Sequence, residues 1–120
     1  MRSAFLLSCA LMAACDRKPS SPVTITVADR KDALAVFQSR CVTCHGAKGA
    51  GDGPASAGLS PRPRNFQDAA WQGGISDGDL EKIIRYGGAA AGKSVAMPPN
   101  PDLQPGTIAA LREHVRSLKK

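Results

Sequence analysis

The chain has 120 residues, of which 42% are hydrophobic and only 4% aromatic, and its formal net charge is +6. This length suits one small domain and excludes a large multidomain architecture for the printed chain. So few aromatic side chains would give a domain of this size a thin core, and a buried prosthetic group would fill it.

Residues 1–14 form a short apolar leader that starts with a charge at Arg2 and ends in small residues. Such a run is typical of a secretory signal and is too short to span a bilayer permanently. The small residues before Cys15 resemble a bacterial lipobox, with Met12 in place of the commoner leucine. We expect cleavage before Cys15 and its lipidation; the alternative is an ordinary secretory signal cleaved near Ala14.

Residues 15–28 are predicted to be a lipidated cysteine followed by a flexible tether, because the segment is polar and contains prolines. A multiply acylated cysteine anchors stably, since each buried CH₂ contributes about 0.8 kcal/mol. Asp16 resembles a signal for retention in the inner membrane. The folded domain is then expected over residues 29–120, on the periplasmic side of the bacterial inner membrane. Without lipidation it would be soluble in the periplasm.

Residues 41–45 are Cys-Val-Thr-Cys-His, the attachment signature of c-type haem. The thiols of Cys41 and Cys44 would add to the two haem vinyl groups. The imidazole of His45 would then direct a nitrogen at the iron. One covalently attached haem c is therefore the predicted cofactor.

Cys41 and Cys44 would also suit a zinc half-site or a redox dithiol. A structural zinc site usually needs four ligands, and the other candidates are Cys9 and Cys15 near the leader and an isolated His114. A thioredoxin-type dithiol needs a βαβ context, which the sequence does not show. Haem attachment is favoured, and it leaves no cysteine pair for a disulfide.

The first predicted helix spans residues 29–44 and ends in the haem motif. Its spacing places Leu34, Phe37, Cys41 and Cys44 on one face, which would deliver the thiols to the haem edge.

Two more helices are predicted, and no segment shows sustained β alternation. One starts at a capping box in residues 76–79, with Asp in place of the usual Glu, and ends at Gly87. The last starts at Pro105 and has apolar residues at spacings of three and four, namely Ile108, Leu111, Val115 and Leu118. Loops rich in glycine and proline fill residues 46–63 and 87–105. The predicted fold class is all-α with long loops.

Met97 is the expected ligand on the second face of the iron. After loss of the leader it is the one remaining methionine, and it lies in a polar loop beside Pro98 and Pro99. The prolines stiffen the backbone next to a soft thioether ligand, whereas a core methionine would sit in an apolar stripe. We therefore expect His45 and Met97 as the axial pair.

From residue 29 to 120 the chain resembles the class I cytochrome c family, in particular its small bacterial monohaem members. The matching segments, in chain order, are residues 41–46, 51–54, 61–66, 87–88, 92–94 and 97–98. The resemblance implies a compact cytochrome c fold in which the N- and C-terminal helices cross beside a covalently bound haem.

The same resemblance implies roles for single residues. Pro54 matches the proline whose carbonyl accepts a hydrogen bond from the far nitrogen of the ligating histidine, here His45. Arg62, Arg64 and Trp71 are candidates for holding the haem propionates. For the two arginines the alternative is solvated loop charge.

Two positions depart from the family pattern at the expected helix crossing. The family often has a glycine and an aromatic residue there, and this sequence has Ala33 and His114. His114 is also a conceivable iron ligand, but Met97 lies in the expected loop and a lone histidine is more often packed or exposed.

With His45 and Met97 on the iron, both axial positions are filled, and no acid–base pair, nucleophile motif or second metal site suggests an enzyme. The predicted function is one-electron transfer by a membrane-tethered monohaem cytochrome c in a respiratory or related redox chain. The alternatives are a fixed cytochrome subunit of a dehydrogenase or oxidase, and a haem sensor or minor peroxidase with a displaceable methionine. Positive charge favours redox partners with acidic docking surfaces; neither nucleic acid nor a small-molecule substrate is expected.

Overall fold

The computed structural model describes residues 22–120, so the predicted signal segment 1–14 and the predicted lipidation site Cys15 lie outside the described residues. The helices of the described part are α1 (Val27–Val36), α2 (Val42–His45), α3 (Ala69–Gly74), α4 (Asp77–Ala90) and α5 (Pro105–Ser117), with a π-helical turn at Phe37–Cys41 and a 3-10 turn at Ser56–Gly58. Residues 22–120 contain no β-strand, as the all-α prediction requires. Within this range no helix is long and apolar enough to cross a membrane.

Helix α1 starts two residues earlier than predicted because Thr26 caps it. The Thr26 hydroxyl accepts a hydrogen bond from the Asp29 N–H at 3.1 Å, and the Asp29 carboxylate accepts one from the Thr26 N–H at 2.9 Å. This reciprocal pair satisfies two backbone donors that the first turn of a helix leaves open.

The π-helical turn between α1 and α2 corrects the predicted helix face. In this turn the Val42 N–H bonds to the Phe37 carbonyl, five residues back, which breaks the 3.6-residue spacing. Leu34, which was predicted to share one helix face with Phe37, is 46% exposed, whereas Ala33 is 1% and Phe37 is 3% exposed. Cys41 ends the π turn, so the haem motif follows a different register from α1.

Helices α4 and α5 lie close to their predicted positions. The Ser76 hydroxyl caps α4 by accepting from the Asp79 N–H at 3.1 Å. The predicted stop at Gly87 corresponds to a kink inside α4: φ is 80° there, which ends the first helical stretch, and a short second stretch continues to Ala90. Pro105 is the first residue of α5, which buries Ile108, Leu111 and Val115, and Leu118 is half-buried just after its end.

The two outer helices, α1 and α5, pack against each other, and α4 packs against α5. Ala33 lies buried at this contact, and the rings of Phe37 and His114 meet edge to face with centroids 4.4 Å apart. Alanine and histidine therefore still permit a close crossing. The Nε2 atom of His114 is buried there without a hydrogen-bond partner in residues 22–120.

We expect His114→Phe to stabilise the folded domain and to reduce its sensitivity to acid. Burial lowers the pKa of His114 below its ordinary value of 6.5. His114 therefore binds a proton more readily in the unfolded state. Its contribution to the free energy of unfolding is complete above about pH 6.5 and is lost as the pH falls below 6.5. A buried unpaired polar atom costs about 1–3 kcal/mol, which phenylalanine would recover.

Urea unfolding of the holoprotein at several pH values tests this expectation. Arg30→Gln is a suitable control, because it removes the exposed Arg30–Glu113 ion pair at the same crossing and should leave the pH dependence unchanged. If the free energy of unfolding depends on pH in the same way in His114→Phe and in the wild type, His114 binds protons equally in the folded and unfolded states, and the expectation fails.

Candidate functional site

One cavity of about 1070 Å³ brings the haem motif and the Met97 loop together. Its volume lies at the upper end of the range of roughly 300–1,000 Å³ usual for small-molecule sites. All residues predicted to contact the haem except Pro54 line it, namely Cys41, Cys44, His45, Met97, Arg62, Arg64 and Trp71. Its apolar wall includes Phe37, Phe66, Leu80, Ile84, Leu111 and Val115. The cavity thus occupies the place where a domain of this size would have its core.

The two cysteines of the motif are half-buried free thiols on the cavity wall. Burial raises the pKa of Cys41 to about 11, so this thiol is uncharged at neutral pH. A thioether is uncharged as well, and burial therefore places no penalty on the attached form. The donor chemistry of Cys41 and Cys44 fits covalent attachment to a flat apolar group.

His45 has the tautomer that an iron ligand needs. Its Nδ1 lies 3.2 Å from the carbonyl oxygen of Arg64. A carbonyl can only accept, so Nδ1 carries the hydrogen and Nε2 keeps its lone pair for a metal. Burial also lowers the pKa of His45, which keeps the ring neutral.

The prediction that Pro54 supplies this carbonyl is wrong, because Arg64 supplies it. The Gly53 N–H donates to the Cys44 carbonyl at 3.1 Å, and a Cβ on Gly53 would overlap the Val42 carbonyl. The chain therefore lies directly on the end of α2 at this point, which leaves Pro54 exposed and away from the cavity. The Gly51 N–H donates to the main-chain carbonyl of His45, but it is the Arg64 carbonyl that meets the imidazole.

The loop that carries Met97 is packed directly against two glycines. The Gly88 N–H donates to the Met97 carbonyl at 3.0 Å, and a Cβ on Gly88 would overlap the carbonyl of Ser94. A Cβ on Gly87 would lie 2.8 Å from the Met97 carbonyl oxygen. These close backbone contacts hold the Met97 loop at the cavity wall. Gly87 therefore has two roles: it interrupts the helix, as predicted, and it leaves room for the Met97 loop, which was not predicted.

The three propionate candidates differ in their surroundings. Arg62 and Arg64 are exposed, and within residues 22–120 neither forms an ion pair with a carboxylate. Trp71 is half-buried and stacks on Phe66, with ring centroids 5.5 Å apart. All three line the cavity, so two cations and an indole N–H are available to a negatively charged ligand there.

Two side chains near the site had no predicted role. Phe66 stacks on the His45 ring with centroids 4.3 Å apart and ring planes 18° from parallel. Gln72 is buried in α3, a helix that the sequence analysis missed, and donates to the carbonyls of Phe66 and Val115. Asp68 was the available signal, because it caps α3 by accepting from two backbone N–H groups.

In residues 22–120 the structure brings no three His, Cys, Asp or Glu side chains together in the way that a zinc site needs. The family model described as cytochrome c matches residues 31–119. The chain belongs to the cytochrome c family. Members carry covalently bound haem c, typically with His and Met on the iron, and in this cytochrome His45 and Met97 line the same cavity.

Solved structures that are similar to this cytochrome include two that bear on its function. One is the KustC0563 c-type cytochrome, which is 31% identical over 73% of this chain and 98% of its own, with a TM-score of 0.58. The other is a chain of the Kuenenia stuttgartiensis reducing HAO-like protein complex Kustc0457/Kustc0458, which is 25% identical over 82% of this chain with a TM-score of 0.58. The match spans 44% of that second chain. Curated proteins gave no match.

Family and structural neighbours together support electron transfer by a cytochrome. When bound, haem c supplies an iron that alternates between the ferrous and ferric states. Cytochrome c carriers are generally not enzymes.

Proposed function

We propose that this cytochrome is a monohaem electron carrier, tethered through Cys15 to the periplasmic side of the bacterial inner membrane and serving a respiratory or related redox chain. The cavity lined by both His45 and Met97 carries the electron-transfer part of the proposal. The tether rests on the sequence of residues 1–28, with its apolar leader and proline-containing polar segment.

The protein residues each contribute one physical function at this site. Cys41 and Cys44 would hold the haem covalently, and the neutral ring of His45 would bind the iron through Nε2. Met97 would occupy the other axial position, which leaves no coordination position for oxygen, peroxide or a substrate. A thioether ligand favours ferrous iron and raises the reduction potential. This cytochrome would therefore transfer electrons without catalysing a reaction.

Basic side chains around the cavity support docking to an acidic redox partner. Lys82 and Lys93 are exposed on its wall together with Arg62 and Arg64, and Asp79 is the one acidic residue among the lining residues. Because a partner must approach the haem closely, this charge would attract an acidic surface toward the cavity. Such attraction weakens as salt screens it.

Stopped-flow electron transfer to an acidic one-electron partner tests the carrier proposal. We expect the second-order rate constant to fall as ionic strength rises from about 10 to 200 mM. Lys93→Gln should lower the low-salt rate roughly two- to fivefold, since rim charges act mainly on association. The matched control is Lys31→Gln on α1, which removes an exposed charge outside the cavity lining and should leave the rate unchanged. A rate constant independent of salt would rule out electrostatic docking.

The second similar structure favours one other candidate function, because that chain belongs to a protein complex. A fixed cytochrome subunit would bury part of its surface permanently against a partner. Val95, which is 86% exposed in the Met97 loop, is the apolar side chain best placed for such a contact. Detergent extraction of native membranes distinguishes the two functions: a stable stoichiometric complex indicates a subunit, and recovery of the cytochrome alone indicates a carrier.

A further inference from the structure

We propose that Phe66 and Gln72 are positioning residues that fix the ring plane of His45. This inference rests on the proposed function, in which His45 is an axial ligand of the iron. The bond from Nδ1 to the Arg64 carbonyl selects the tautomer, but at 3.2 Å it is long and tolerates some rotation of the imidazole about its Cβ–Cγ bond. A second contact, on the face of the ring, is needed to remove this freedom.

Phe66 provides that contact. Its ring lies 4.3 Å from the His45 ring, centroid to centroid, and the planes are 18° from parallel. Trp71 supports the other end of the stack, with its centroid 5.5 Å from that of Phe66. Because Phe66 is buried, it cannot move aside without opening the wall of the cavity. It also shields the imidazole from water.

The backbone of Phe66 is held at both of its polar groups. Its N–H donates to the Gly49 carbonyl at 2.7 Å, and its carbonyl accepts from Gln72 Nε2 at 2.8 Å. The same Nε2 donates to the Val115 carbonyl in α5 at 2.9 Å. Gln72 thus connects the segment that contacts His45 to the C-terminal helix.

Arg116 fixes the orientation of the Gln72 amide. Its Nη1 donates to Gln72 Oε1 at 2.9 Å, so this atom must be the amide oxygen and the two amide hydrogens must point toward the carbonyls. Arg116 is itself paired with Asp77 at the start of α4 at 2.8 Å. Gln72 is only 5% exposed, and a substitution that removed its two donated bonds would take from the Phe66 carbonyl its bond to the side chain, whereas the Val115 carbonyl would still accept from the Leu118 N–H.

The ring plane of an axial imidazole determines which iron orbital its π electrons overlap. This overlap sets how unpaired spin is distributed over a ferric haem, and the order of the haem methyl resonances in a paramagnetic proton NMR spectrum reports it. A positioning role for Phe66 therefore has a readout that a general loss of stability does not change.

The experiment uses the ferric holoprotein with two pairs of variants. Phe66→Leu removes the stacking ring, whereas Phe66→Tyr keeps it. Gln72→Met removes the two donated bonds at similar volume. Gln67→Met is its control, because Gln67 donates one side-chain bond, to the Lys48 carbonyl at 3.0 Å, and none to Phe66. We expect Phe66→Leu and Gln72→Met to change the order of the haem methyl shifts and to lower the reduction potential, and both control variants to keep the wild-type pattern.

An unchanged methyl order and potential in Phe66→Leu would overturn the role of Phe66. If Phe66→Leu does not retain haem, Gln72→Met decides, and wild-type spectra in that variant would overturn the proposal. Equal changes in Gln72→Met and Gln67→Met would indicate a general loosening and would also overturn it. A failure of the proposed function can be distinguished from these outcomes. In that case the wild-type ferric protein itself would lack the absorption spectrum that His and Met ligation gives.

Discussion

Met97→Ala will abolish the weak far-red absorption band that sulfur ligation gives to ferric haem c. The reduction potential should fall by on the order of 0.1–0.3 V, since axial ligands together span a range of about 0.8 V. The alanine variant also vacates a coordination position, so its reduced form should bind carbon monoxide at neutral pH. Absorption spectra of both oxidation states and a redox titration measure these effects.

His114→Phe is the control for this assignment, because His114 is the other conceivable ligand. It lies at the crossing of α1 and α5 against Phe37 and does not line the cavity, so its replacement should leave the far-red band intact. A Met97→Ala variant that kept the band would refute the axial assignment. Ready binding of carbon monoxide by the reduced wild-type protein would instead support a haem sensor or minor peroxidase.

The double variant Cys41→Ala/Cys44→Ala will lose covalently bound haem and with it cooperative unfolding. The haem cavity occupies the centre of the domain, and its lining includes the core residues Phe37 and Phe66. An unfilled apolar cavity costs about 24 cal/mol per Å³. Loss of the haem therefore removes a contribution comparable with the roughly 5–15 kcal/mol by which most domains are stable.

Thermal unfolding followed by circular dichroism, with NMR chemical-shift dispersion as a second measure, tests this expectation. The single variant Cys44→Ala is the matched control: one thioether at Cys41 and the His45 ligand should retain the haem and a cooperative transition. A haem-free double variant with a sharp transition and native dispersion would show that the apoprotein folds by itself.

The haem motif and Met97 could be predicted from sequence because their chemistry depends on residue type and local spacing. The last helix could be predicted as well, since Pro105 and a regular apolar stripe specify its start and its buried face. These features need no knowledge of the rest of the fold. The same holds for the stop at Gly87, whose left-handed backbone is a local property.

The features that could not be predicted from sequence are irregular turns and contacts between distant parts of the chain. The π turn at Phe37–Cys41 adds one residue to a helical turn, which no periodicity count over a straight helix would include. The Arg64 carbonyl reaches His45 only because Gly53 brings the intervening loop against α2. Gln72 acquires its role from α5, a helix far from it in sequence.

The loop that carries Met97 has a base that is packed against the protein and a tip that is exposed to solvent. At its base, the backbone contact with Gly88 leaves no room for a side chain, so main-chain atoms fix the backbone from which the Met97 side chain extends. At its tip, Val95 is 86% exposed and constrains nothing inside the protein. If Met97 is the iron ligand and the tip contacts a redox partner, substitutions at the tip could change the partner over evolution without moving the backbone that carries Met97.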